Sequence, residues 1–141
     1  MGEIVVRHRY AAAPERVFDA WLDPKQAGRF AFATPDGQMI VAEVDARVGG
    51  RFTFTDRRPD MGDVAHVGEY EVIDRPRRLV FTFAVPKYDP TYTRVTLTFE
   101  ALPDGGCELT LTHVGVPPEY VDSTPKGWEM ILDNLGRVLA S

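Results

Sequence analysis

Cysteine and serine are scarce in this sequence, and their scarcity excludes several kinds of site. The 141 residues include one cysteine, Cys107, which can form neither an intrachain disulfide nor a four-cysteine zinc site. A chain without paired cysteines fits a reducing compartment, so we expect a cytoplasmic protein. The two serines, Ser123 and Ser141, lack the Gly-x-Ser-x-Gly context of a serine hydrolase.

Recognisable metal motifs are missing as well. Three histidines are present, and none lies four residues from another, the spacing that puts two ligands on one helix face: His8, His66 and His113. No pair of inward-facing carboxylates is apparent either. We therefore predict no metal, no cofactor and no catalytic residue.

Long apolar runs and excess positive charge are also absent. No run approaches the roughly 18 apolar residues that a membrane span requires, so we expect no membrane partner. The net charge of −5 argues against nucleic acid, whose phosphates demand a basic surface. With 44% hydrophobic and 26% charged residues, the composition is that of one globular domain over residues 1–141.

The hydrophobic pattern predicts an order of strands and helices. Residues 3–11 favour a strand because of their β-branched run. A helix is expected from Pro14 to the residue before Pro24, and a second short helix from there to about Arg29. Six strands with hairpin-length links follow between residues 39 and 113. Apolar residues at spacings of three and four predict a last helix over about 123–139.

Alternation along the strands predicts which side chains face inward. In the segment 39–45, Ile40 and two later residues are expected on the apolar face. In the segment 64–73, Val72 is expected inward with His66, Gly68 and Tyr70. Residues 57–62 and 86–90 are expected to be loops.

This order of elements predicts an α+β helix-grip fold. Short links between six consecutive strands demand an antiparallel sheet, and its apolar face must be covered. The C-terminal helix is the only long amphipathic element available to cover it. We expect a curved sheet of about seven strands around that helix, with two short helices beside it. A sheet curled around one helix is also expected to leave a cavity.

Several short segments carry a resemblance to a known family. They are residues 13–21 (Ala-Pro-Glu-Arg-Val-Phe-Asp-Ala-Trp), then 23–24, 48–52, 68–70, 77–82 and 127–128. In this order they resemble the START-related, birch-pollen-allergen-like superfamily (SRPBCC). The branch they resemble is named for the activator of the ninety-kilodalton heat-shock-protein ATPase. The resemblance covers about residues 5–139 and implies a helix-grip domain, with a chaperone as one potential partner.

The candidate ligand-binding residues lie on the inward face of the sheet and on the apolar face of the last helix. Apolar pockets orient a ligand with a few polar groups among aromatic side chains. The predicted site consists of Phe52, Phe54, His66, Tyr70, Phe83, Leu97, His113, Trp128 and Leu132. Each has a structural alternative: His66 could be an inert buried histidine, and Trp128 could simply join helix to sheet.

The sequence leaves three functions open. The favoured one is non-catalytic binding of a small apolar or aromatic molecule between sheet and helix, by a monomer or homodimer. An alternative is an enzyme of the cyclase or aromatase kind, in which His66, His113 or Tyr70 moves protons. A third is a chaperone partner that acts through its surface.

Overall fold

Seven strands and three α-helices make up the fold in a computed structural model, which describes residues 2–140. In chain order they are β1 (Gly2–Tyr10), α1 (Pro14–Leu22), α2 (Pro24–Phe30), β2 (Gln38–Val44), β3 (Arg51–Arg58), β4 (Gly62–Asp74), β5 (Arg78–Val85), β6 (Asp89–Ala101), β7 (Cys107–Val116) and α3 (Thr124–Ala140). A single 3₁₀ turn, Pro118–Tyr120, lies between β7 and α3.

The strands form one antiparallel sheet in the order β1-β7-β6-β5-β4-β3-β2. Strands β2 to β7 follow one another as a meander, whereas β1, the first strand, pairs with the last, β7. This arrangement confirms the predicted α+β fold with a seven-stranded sheet, two short helices and a long C-terminal helix. None of the helices within residues 2–140 is long and apolar enough to cross a membrane.

Prolines determine where the two short helices begin. Pro14 and Pro24 each occupy the first turn, where the missing N–H costs nothing. The side chain of Asp23 caps α2 by accepting a hydrogen bond from the backbone N–H of Lys25 at 3.0 Å. Both helices bury aromatic residues: Trp21 of α1 packs edge-to-face on Phe30 of α2, with ring centroids 5.0 Å apart.

One stripe of α3 provides its contact with the rest of the core. The buried positions recur every three or four residues, as predicted: Trp128, Ile131, Leu132, Leu135 and Val138. The helix packs against α2 and β1. Tyr10 of β1 extends this contact, because its hydroxyl donates a 2.8 Å hydrogen bond to the carbonyl of Leu132.

Two β-bulges make the alternation prediction wrong at two positions. The β2–β3 register shifts between Met39 and Val41, so Met39 packs on the core where Ile40 was expected. The β4–β5 register shifts between Tyr70 and Val72, so Ile73 packs on the core where Val72 was expected. A bulge inserts one residue, and everything beyond it changes face.

The strands extend further than predicted at three places. β3 continues through Arg58, so the predicted 57–62 loop shrinks to a turn before Gly62. β6 already begins at Asp89, inside the predicted 86–90 loop, and β7 continues past His113 to Val116. Cross-strand hydrogen bonding holds polar residues in an extended conformation that side-chain pattern alone does not reveal.

Gly68 allows the sheet to close tightly around its aromatic interior. A Cβ atom here would lie 1.8 Å from the Thr82 carbonyl oxygen and 2.6 Å from the Phe52 ring. Any larger residue would push β5 away from β4 or displace the ring.

Candidate functional site

Two adjoining cavities open where the ends of β5, β6 and β7 meet the start of α3. The larger has a volume of about 200 Å³ and the smaller about 180 Å³. They share Phe83, Val85 and Thr124 in their walls, so they lie side by side. We call the pair the groove and its parts the larger and the smaller lobe. Together they fall at the lower end of the roughly 300–1,000 Å³ typical of ligand sites.

The larger lobe lies between the β5–β6 hairpin and the 3₁₀ turn. Its wall includes His113 from β7 and, from the chain before α3, Val116 and Tyr120. Tyr88, in the hairpin, also borders it and is 45% exposed, so the lobe opens to the surface. The wall is mainly apolar, with His113, the Asp89 carboxylate and a few hydroxyl groups as its polar points.

The smaller lobe lies on the other side of Phe83. Phe32 and His66 form one wall, and Trp128 and Ile131 of α3 form another. Arg58, at the end of β3, also borders it and places a positive charge beside aromatic rings. This lobe therefore combines an apolar interior with one cationic group.

His113 is fixed by hydrogen bonds on both ring nitrogens. The Trp128 indole N–H donates to Nδ1 at 3.0 Å, so the ring proton is on Nε2. That Nε2–H donates to the Thr93 hydroxyl at 2.6 Å, which in turn donates to the Phe83 carbonyl at 3.0 Å. Burial lowers the pKa of His113 to about 4, which keeps the imidazole neutral. A ring with both nitrogens engaged orients Trp128 and cannot easily exchange a proton with a ligand.

His66 is also neutral, and it is stacked among aromatic rings. Its Nδ1–H donates to the Phe54 carbonyl at 3.2 Å, which leaves a lone pair on Nε2. The imidazole stacks on Phe32 at a centroid distance of 4.5 Å and lies nearly parallel to Phe83 at 6.1 Å. Burial is the main cause that lowers the pKa of His66 to about 4.

Phe32 occupies the centre of the aromatic cluster and was not singled out from the sequence. It lies between α2 and β2, is 6% exposed, and has a φ of 63°. A left-handed backbone is rare for a bulky residue and costs of order 1–3 kcal/mol unless the surroundings enforce it. Five rings surround it at centroid distances of 4.5 to 6.4 Å: Phe52, Phe54, His66, Phe83 and Trp128.

Phe32 divides the site that the sequence predicted. On its inner side, Phe52, Phe54 and Tyr70 border a void of about 20 Å³, which is about the space of one water molecule. On its outer side lies the groove, which contains His66, Phe83, His113 and Trp128. Burial raises the pKa of Tyr70, so its hydroxyl stays protonated on the inner side.

The two remaining predicted residues belong to the packed core. Leu97 of β6 and Leu132 of α3 are both 0% exposed and border neither lobe of the groove. The structure thus brings four of the nine predicted residues to the groove, three to the small inner void and two to the core.

Some groove residues had a sequence signal and others had none. Arg58 follows Phe52, Phe54 and Asp56 at a spacing of two, so continued alternation would have placed it on the inward face. Phe32 belongs to no periodic segment, and its position depends on a left-handed backbone conformation that no residue pattern predicts.

Other reactive groups are not assembled into a site in the part of the chain that the structure describes. Within residues 2–140, no group of three or more histidine, cysteine, aspartate or glutamate residues could hold a metal ion. Cys107 is fully buried, and burial raises the pKa of its thiol to about 11, so it stays protonated.

Comparison with known families gives one match that covers most of the chain. The family model described as "Activator of Hsp90 ATPase homolog 1-like protein" matches residues 11–140. Curated proteins give no significant match. The family match extends from the end of β1 to the end of α3 and therefore includes every residue of the groove.

Solved structures share the whole fold. Protein CV1439 from Chromobacterium violaceum is 25% identical, with a TM-score of 0.85 over 98% of this chain and 97% of its own. The AHSA1-like protein from Aeromonas hydrophila is 26% identical, with a TM-score of 0.84 over 99% and 92%. PFC0360w, an Hsp90 activator from Plasmodium falciparum, is 24% identical, with a TM-score of 0.76 over 98% and 96%; this likeness concerns the fold alone.

Proposed function

This chain belongs to the family of Activator of Hsp90 ATPase homolog 1-like proteins, and we propose that it binds a small apolar or aromatic molecule in the groove without transforming it. The observation that carries the proposal is the aromatic groove at the start of α3, with Phe83 between its two lobes. Apolar walls with a few oriented polar groups are typical of ligand sites.

The hydrogen bonds of the histidines favour binding over catalysis. A general acid or base needs a pKa near the working pH and a free route for its proton. The pKa of His66 and that of His113 are both lowered to about 4, and Trp128 and Thr93 engage both nitrogens of His113. The cyclase or aromatase alternative therefore has less support than a passive binding site.

A neutral fluorescent probe, N-phenyl-1-naphthylamine, tests the proposal directly. Gly127 borders the smaller lobe, and a Cβ here would meet no heavy atom within 4 Å, so Gly127→Phe should place a ring in open space. We expect saturable fluorescence enhancement with the wild type and an affinity at least about tenfold weaker for Gly127→Phe, equivalent to about 1.4 kcal/mol.

Gly136→Ala is the matched control. It also replaces a glycine of α3, but its Cβ would contact the Tyr10 ring at 3.6 Å, away from the groove. The control should bind the probe like the wild type, and both variants should still unfold cooperatively, at a temperature no lower than that of the wild type. Absence of saturable binding to the wild type, or equal binding by Gly127→Phe, would overturn the proposed function.

A second candidate function rests on the family match. The family is named for activation of the Hsp90 ATPase, so binding to an Hsp90-class chaperone through the surface is the alternative role. Stimulation of the ATPase of a purified Hsp90-class chaperone would support it. Gly127→Phe distinguishes the two roles, because a surface interaction should survive when the smaller lobe is filled.

A further inference from the structure

Arg58 lines the smaller lobe and has unused hydrogen-bond donors on its side chain. A guanidinium has five N–H donors in a planar fork. Within residues 2–140, the Arg58 side chain makes one hydrogen bond, from Nε to Oδ2 of Asp56 at 3.1 Å. Its side chain is only 18% exposed, and its terminal nitrogens have no hydrogen-bond partner among the described residues. Arg58 lines a lobe whose other walls are largely aromatic and aliphatic.

Asp56 holds Arg58 by one edge and leaves the other edge available. The Asp56 carboxylate is fully buried, and its Oδ2 also accepts a 2.7 Å hydrogen bond from the Thr34 hydroxyl. A Cβ at Gly37 would lie 2.4 and 2.5 Å from the two Asp56 oxygens, so the loop before β2 packs directly on this carboxylate. Oδ2 of Asp56 therefore orients the guanidinium through Nε, whereas its buried Oδ1 has no hydrogen-bond partner among the described residues.

The surroundings of Arg58 favour an anion that has an apolar body. Arg58 and His66 line the same lobe, and the positive charge of Arg58 adds to burial in lowering the pKa of His66. Phe83 and Trp128 lie in the same lobe, and the first turn of α3 borders it at Thr124, where the helix dipole is positive. A carboxylate fits the guanidinium fork through two parallel hydrogen bonds.

We propose that the smaller lobe recognises a small amphipathic carboxylic acid. Its carboxylate pairs with the terminal nitrogens of Arg58, and its apolar body lies against Phe83 and Trp128. The inference rests on the proposed function, since it names the chemical class of ligand that the groove takes.

A matched pair of ligands tests the anchor: 2-naphthaleneacetic acid and its neutral analogue 2-naphthaleneacetamide. Each is titrated by calorimetry into the full-length protein at pH 7. We expect the wild type to bind the acid at least about tenfold more tightly than the amide, as a charge-assisted hydrogen-bonded pair in a partly buried site would give. Arg58→Gln should remove this preference and leave amide binding within about twofold.

Arg57→Gln is the matched control on the same strand. Arg57 is exposed and pairs with Asp63 through Nε at 2.8 Å, on the opposite face of the sheet from Arg58. Its loss changes the net charge by the same amount and should leave the preference for the acid intact. If Arg58→Gln does not fold, Arg58→Lys decides, because it keeps the charge but loses the fork and should lower the preference severalfold.

The outcomes separate the two claims. If neither ligand binds the wild type, the carboxylate anchor is overturned, and the titration with N-phenyl-1-naphthylamine decides the proposed function separately. If both bind equally well, the groove is a binding site and the carboxylate anchor is overturned. If the preference for the acid persists unchanged in Arg58→Gln, or in Arg58→Lys where that variant decides, Arg58 serves only Asp56 and the anchor is again overturned.

Discussion

The packed core and the groove are built from the same strands, yet they differ in how completely their side chains are buried. In the core, apolar side chains pack to complete burial: Val17, Phe18, Val95, Leu97, Leu109, Leu111, Leu132 and Leu135 are all 0% exposed. In the groove, Phe83 is only partly buried, and polar groups such as His113 and Arg58 border open space. The core stabilises the sheet on its helix, and the groove leaves surface for a ligand.

The largest expected effect separates the core from the exposed side of α3. Leu132→Ala or Leu135→Ala should lower the free energy of unfolding by about 2–5 kcal/mol, because each deletes fully buried methyl groups and leaves a void. Urea denaturation followed by circular dichroism measures the loss. Glu129→Ala, at an exposed position on the same helix, should change stability by less than about 0.5 kcal/mol. Equal losses at all three positions would erase the distinction.

Acid should destabilise the groove side of the molecule. The pKa of His66 and of His113 is about 4 in the folded protein and 6.5 for the ordinary group. The unfolded chain therefore binds more protons between these values, and stability falls as the pH drops from about 6.5 to about 4. Each histidine should contribute a slope of up to about 1.4 kcal/mol per pH unit. Over the whole interval, each histidine should therefore lower the free energy of unfolding by about 3 kcal/mol.

Single replacements apportion this acid effect. His113→Gln and His66→Gln should each remove about half of the fall in stability between pH 6.5 and pH 4. Urea denaturation at a series of pH values provides the measurement. An unchanged slope in both variants would show that neither histidine is held neutral by the fold.

Loss of the Trp128 indole donor should have a smaller effect. Trp128→Phe leaves Nδ1 of buried His113 without its donor, which should cost about 1–3 kcal/mol. The pKa of His113 should rise above about 4, because the indole N–H adds to burial in favouring the neutral ring. Proton NMR titration of the imidazole signals checks this shift. A pKa that stays near 4 would mean that burial alone keeps His113 neutral.

The smallest expected effect is a gain in stability. Gly136→Ala should stabilise the protein by about 0.5–1 kcal/mol, because alanine loses less backbone entropy than glycine in a helix and its Cβ fits at 3.6 Å from Tyr10. Gly127→Ala should give a similar gain, since its Cβ would meet open space. Thermal denaturation compares the two. A loss at Gly127 alone would mean that the groove wall cannot accept a methyl group.

The sequence predicted the fold well because its signals are local and repeated. Proline positions, strand alternation and the α3 stripe each stand out from short segments, and the predicted inward position of Leu97 in β6 is confirmed by its burial. The errors at Ile40 and Val72 have the same cause, a β-bulge. A bulge depends on how two strands pair, so the sequence of either strand alone does not reveal it.

The candidate site was harder to predict because it depends on one loop. Alternation correctly placed Phe52, Phe54 and Tyr70 on the inward face, but it could not show that Phe32 would fill the space between them and the groove. The left-handed backbone of Phe32 is enforced by surrounding packing, and packing is a property of the assembled fold.

The two tryptophans report on the groove and on the packed core, and together they test whether a ligand occupies the groove. Trp128 borders the smaller lobe, whereas Trp21 borders the inner void, and its indole N–H is buried without a hydrogen-bond partner among the described residues. Their indole N–H signals are followed by ¹⁵N–¹H NMR during titration with N-phenyl-1-naphthylamine, and Trp128→Phe assigns them. Ligand binding in the groove should give a saturable shift of the Trp128 signal with the Trp21 signal unchanged. A shift of Trp21 alone, or no shift of either signal at saturating probe, would contradict it.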